Sequence, residues 1–179
     1  MKPALPLLLL FLAACTPTKP TGSEPADNSA AAGQTAPLAT LPLAIRTAKG
    51  EHRFTVEVAR TPQEQEQGLM FRTALDADGG MLFPMSPPRT ASFWMKNTVI
   101  PLDILFIRTD GTIAFIKANA TPYSREPVSA GIPVAAVLEL RGGRAAELGI
   151  AEEDVVSWGA CAVPGSASTD LNFCPAGER

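Results

Sequence analysis

One stretch, FWMKNTVIPLDILF at 93–106, carries most of the side chains that could do chemistry: Trp94, Lys96, Asn97 and Asp103. GLMFR at 68–72 adds Arg72, and VLEL at 137–140 adds Glu139. If residues 92–96 run as a strand, alternation puts Phe93 and Met95 on one face and Trp94 with Lys96 on the other. The first pair reads as core. The second is an aromatic wall with a cation beside it, a pairing that holds a polar ligand by stacking and one charge; the plainer reading is a packed Trp94 beside a solvated Lys96. Asp103 interrupts an apolar run, where burial without a partner is costly. It is therefore expected to meet Lys96, Arg72 or backbone donors, as an ion-pair member rather than a general acid. Asn97 precedes Val99-Ile100-Pro101 and suits a turn shaped by its own side-chain hydrogen bonds. Glu139 either faces solvent or brings a second carboxylate to the same pocket. These six residues are the candidate ligand contacts, and no residue is assigned a catalytic role.

Three chemistries compete for them. The leading expectation is a non-catalytic module that binds a small polar ligand, a glycan or a protein partner around Trp94, Lys96, Asp103 and Arg72. A hydrolase of an envelope polymer would use Asp103 and Glu139 as paired carboxylates, which requires that both side chains open into one pocket. A Cu(I) carrier would use the thioethers of Met70, Met81, Met85 and Met95, yet each Met lies beside apolar residues, as core gap-fillers do. There is no GxSxG, no HExxH and no Gly-rich phosphate loop, so no cofactor is expected. No metal is assigned either, and His52 reads as a strand residue.

The elements that must position these groups are mostly strands. Residues 41–46 and 52–58 alternate about a Lys49-Gly50 turn, a β-hairpin pattern. Thr61, Pro62 and Glu64 form a capping-box sequence that starts a short helix running to about Gln67, with Gly68 fitted to end it. Residues 102–108 and 112–117 are β-rich and meet at Asp110-Gly111, a pair suited to a tight hairpin turn. Residues 134–140 read as a buried strand, 143–148 as one or two helical turns ended by Gly149, and 155–158 as a last strand. The pattern predicts a mainly β fold, a compact antiparallel barrel or jelly-roll-like sandwich with two short helices.

The N-terminus addresses the chain to the envelope. Lys2 and the apolar residues 5–14 form a segment of about half the length a membrane-spanning helix needs. LAAC at 12–15 is similar to a lipoprotein lipobox, with Cys15 placed to take a diacylglyceryl thioether before cleavage. Residues 1–14 are thus read as a signal peptide and 15–40 as a lipidated tether. The tether is rich in Pro, Ala, Ser, Thr and Gly and too poor in apolar side chains to order itself. As a coil it would span on the order of 25–30 Å. Thr16 stands where an Asp would resemble an inner-membrane retention signal, which points to the periplasmic face of the outer membrane. Of 15 basic residues Lys2 leaves with the signal, so 14 face 18 acidic ones; a net charge of about -4 excludes a nucleic-acid partner. Residues 41–160 form one β-rich domain, and Cys161 with Cys174 is expected to pair in an oxidising compartment and staple the extension 161–179.

GLM-x-R, G-M-L-F, F-W-M-K-N-T-x-I-P-L-D-I-x-F with its D-G turn, and V-L-E-L follow one another in the order of domain of unknown function 192, an uncharacterised family that the chain resembles from about Leu43 to Trp158. Trp94, Lys96, Asn97, Asp103 and Glu139 all fall on that pattern. Glu153-Asp154 departs from it, since family members tend to carry Gly-Asp there. The resemblance implies a compact, mainly β domain, often exported, and brings no activity with it.

Overall fold

Alternating apolar residues become the first two strands as the pattern predicts. In the computed structural model, which describes residues 37–163, 165 and 170–175, β1 (Thr40–Thr47) and β2 (Gly50–Val58) pair antiparallel with Thr47 opposite Gly50. The expected signal peptide, Cys15 and the expected tether as far as residue 36 lie outside the described residues. Ala39 already accepts the Val58 N–H, so the sheet takes up the chain just before Thr40. Helix α1 (Pro62–Gln67) carries the full capping box: Thr61 accepts from the Glu64 N–H, and the Glu64 carboxylate accepts from Thr61. Gly68 ends it at φ 46°, a conformation unfavourable for residues with a Cβ.

The remaining strands are β3 (Gly79–Thr90), β4 (Leu102–Ile107), β5 (Ile113–Ala120), β6 (Pro133–Arg141) and β7 (Val155–Trp158), with α2 (Arg144–Leu148) before β7. The sheet order is β5-β4-β6-β3-β2-β1-β7. Mainly β with two short helices is the observed class, but two features differ from an antiparallel barrel. β2 and β3 are parallel, because α1 and the following loop carry the chain back before β3 begins. The sheet is also not closed: its edges meet only through a bridge between Thr112 and Val155 and neighbouring bonds such as Ile113 N–H to Asp154.

Both faces of the central strands are covered. One carries Leu43, Ile45, Phe54, Val56, Leu105, Leu138, Leu140 and Trp158. The other carries Met81, Phe83, Met85, Ile104, Phe106 and Val137, beneath Met95 and Phe93. All six residues of β4 are buried, which is why it reads as an almost unbroken apolar run. Gly80 permits the close approach of β3 to β6, since a Cβ there would lie 2.8 Å from the Glu139 carbonyl oxygen. The C-terminal extension returns to β7, with the Cys161–Cys174 disulfide, Phe173 stacked on Trp158 at 4.2 Å and Asn172 accepting from the Ala160 N–H.

Candidate functional site

Strand parity decides the fate of the two buried carboxylates. Directly opposed residues of an antiparallel pair share a face. On the β4–β6 ladder Asp103 stands opposite Leu140, and Glu139 opposite Ile104. Leu140 belongs to one apolar face and Ile104 to the other. Asp103 and Glu139 therefore point to opposite sides of the sheet, and the paired-carboxylate hydrolase loses its pair. Asp103 is fully buried and accepts the N–H groups of Asn119 at 2.8 Å, Gly143 at 3.0 Å and Ala145 at 2.8 Å. It found the backbone donors that the sequence offered as one option, and it fixes the entry to α2 rather than a ligand.

Glu139 takes the buried orientation. Its residue is 5% exposed, and its carboxyl makes no hydrogen bond or ion pair among the described residues. Burial alone pushes its pKa from 4.5 up to about 8, because a low-polarity surrounding disfavours the charged form. It lines a cleft of about 360 Å³ bounded by the end of α1, strand β3 and residues 89–98.

The walls of that cleft are about half polar and half apolar, and the apolar half is mainly aromatic rings and thioethers. Leu69, Met70, Phe83, Met85, Ala91, Phe93 and Trp94 contribute, and the Phe83 and Phe93 rings meet edge to face at 4.9 Å. Residues 92–96 do not form a strand beyond a single bridge between Phe93 and Val128. The expected alternation survives nevertheless: Met95 is buried and Trp94 is 50% exposed. Lys96 lies over the Trp94 ring, 5.3 Å from its centroid, and does not line the cleft. Of the polar groups of the wall Gln65 is engaged, and Glu66, Gln67, Thr90, Ser92 and Thr98 line the wall beside it. The Gln65 amide donates to Ala59 and Pro84 carbonyls at 3.2 and 3.0 Å, and its oxygen accepts from Arg89 at 3.1 Å.

Arg72 and Asn97 have structural partners. The Arg72 guanidinium forms a two-pronged ion pair with Glu57, which raises its pKa. Asn97 adopts φ 58°, accepts the Phe71 N–H through its carbonyl and reaches the Met70 sulfur at 3.8 Å, as a turn residue does. Phe71 and Tyr123 also hold positive φ, and the Tyr123 N–H bonds to the Thr98 carbonyl. Phe71, Asn97 and Tyr123 thus brace the loops beside the cleft, while Asn119 and Glu153 hold positive φ elsewhere. Of the four methionines, Met81 and Met95 are core side chains while Met70 and Met85 line the cleft, which divides the soft-donor set. Among the described residues no group of three His, Cys, Asp or Glu could hold a metal.

Sequence reasoning named Trp94 and Glu139 as ligand contacts and Met70 and Met85 as soft donors, but missed Gln65, Phe83 and Thr98. The alternation Met81, Phe83, Met85 was the available signal, obscured by the prolines that follow it. The model of an uncharacterised family, described as "Uncharacterized ACR" and known as domain of unknown function 192, matches residues 44–158. A crystal structure of a protein of unknown function from Novosphingobium aromaticivorans DSM 12444 is 47% identical, with 70% of this chain and 94% of that one covered and a TM-score of 0.66. A Sinorhizobium meliloti 1021 protein, described as a candidate transcription regulator, is 42% identical, with coverage of 69% and 97% and a TM-score of 0.67. No curated protein matches the chain.

Proposed function

The chain belongs to the domain of unknown function 192 family, and from that premise we propose that it is an envelope lipoprotein whose domain binds a small ligand in the cleft at Glu139. The observation that carries this reading is a buried carboxyl without a partner among the described residues, set in a cleft beside a half-exposed Trp94. A folded chain has no stability reason to keep such a group, and perturbed titratable residues in clefts mark functional sites. LAAC at 12–15 supports the remainder: a signal peptide removed before Cys15, a lipid on that residue, and residence on the periplasmic face of the outer membrane.

Native mass spectrometry of the chain exported to a periplasm tests both parts. Lipidation adds acyl mass to a chain beginning at Cys15. A co-purified adduct on the wild type should be lost in Trp94→Ala, a change at an exposed position that leaves the fold intact. An adduct that persists undiminished on folded Trp94→Ala chain would refute the cleft as its site.

A further inference from the structure

We infer that the cleft takes an organic cation, an ammonium or guanidinium group seated against Glu139 with its carbon skeleton along the aromatic wall. The inference rests on the cleft being the ligand site and names the class of that ligand. Its basis is a buried carboxyl that opens into a cleft walled in part by aromatic rings. The donors of Gln65 are taken by two carbonyls, and Arg89 is held by Gln65. The Glu139 carboxyl is buried on that wall and has no hydrogen bond or ion pair among the described residues. A cation would bring donors and charge to a carboxylate that has neither. The walls agree, because the Trp94 and Phe93 rings and the Met70 and Met85 thioethers are polarisable surfaces that favour a cation partly stripped of water. The Trp94 ring already attracts one cation, the Lys96 ammonium.

Glu139 shares its cleft with two other charged side chains, Glu66 and Arg89. Its cross-strand neighbours are Ile104 on β4 and Met81 on β3. Beyond them stand Lys117 opposite Ile104 and Glu57 opposite Met81, the latter paired with Arg72. Glu66 and Arg89 sit on the cleft wall, and Lys96 stays outside it. Because burial keeps the carboxyl protonated at neutral pH, seating a cation must expel a proton: carboxylic acid plus ammonium gives an ion pair plus one proton released to buffer. Affinity should therefore fall about tenfold per pH unit as the solution is acidified below about 8.

Calorimetry on the chain carrying Cys15→Ser, which removes the lipid attachment point, tests this with benzylammonium and its neutral isostere benzyl alcohol. At pH 7, in two buffers of different ionisation enthalpy, benzylammonium should bind at least tenfold more tightly and release close to one proton. Glu139→Gln should release none and bind the two probes alike. Equal binding of both probes to the wild type, or cation binding without proton release, overturns the cation. If neither binds while a Trp94-dependent adduct co-purifies, the cation inference falls and the cleft reading stands.

Discussion

Glu139→Gln should make the protein more stable, and by an amount that grows with pH. In the unfolded chain this carboxyl titrates near 4.5, and in the folded chain near 8. Between those values the unfolded state has lost the proton that the folded state keeps, so the folded state binds more protons and stability declines as pH rises. At about 1.4 kcal/mol per pH unit, the interval amounts to roughly 5 kcal/mol by pH 8, an upper figure because the buried group relaxes and admits water. Glutamine has nearly the same shape and never ionises. The variant should match the wild type at pH 4, where the acid is neutral in both states, and exceed it by roughly 3–5 kcal/mol at pH 8–9. Urea denaturation followed by circular dichroism at several pH values measures the difference directly. Carboxylates whose pKa is lowered, such as Asp110 and Glu147, tilt both curves equally and drop out. A difference that stays flat from pH 4 to 9 would show an ionised, partnered Glu139, and the cleft chemistry argued from it would fail.

Asp103→Asn replaces a carboxylate that accepts three backbone N–H groups with an amide that turns a donor toward one of them. It should cost about 2–4 kcal/mol in thermal or urea unfolding while leaving binding at the cleft unchanged, because the residue lies on the opposite face; unaltered stability would contradict its role as the anchor of α2. Thr61→Ala removes the cap that starts α1. A loss of about 1 kcal/mol is expected, together with faster hydrogen exchange of residues 64–68, since α1 forms one wall of the cleft.

Short-range chemistry made much of this fold legible. The two hairpins followed from alternation and from Asp110-Gly111, whose carboxylate accepts from the Thr112 N–H and hydroxyl. Helix α1 followed from Thr61, Pro62 and Glu64, and β7 was read at its observed bounds. Strand β3 was not recognised, because Pro84, Pro87 and Pro88 argue against a ladder; in the structure they fall where its register with β6 shifts. The parallel β2–β3 pairing was invisible for a related reason, since nothing local in α1 says on which side the chain returns. The cleft drew on residues 65–98 and 139, whose proximity depends on the whole sheet order.

The face of Glu139 was the hardest point, and it is the one on which function turns. β6 is apolar at Val134, Ala136, Leu138 and Leu140 and again at Val137, so alternation cannot tell a solvent face from a second core. Only the layer built by residues 91–101 and the end of α1 makes the second side a buried one. Asp103 and Glu139 then sit on adjacent strands as a natural contrast. The first has every donor that the backbone can bring, which is what folding selects for a buried carboxylate. The second has none, although Met81 and Ile104 beside it show that an apolar side chain fits that surface. Stability explains Asp103 and argues against Glu139. Where local physical rules are broken without a structural gain, the compensating interaction is to be sought outside the chain, and the open cleft at Glu139 is where a ligand can supply it.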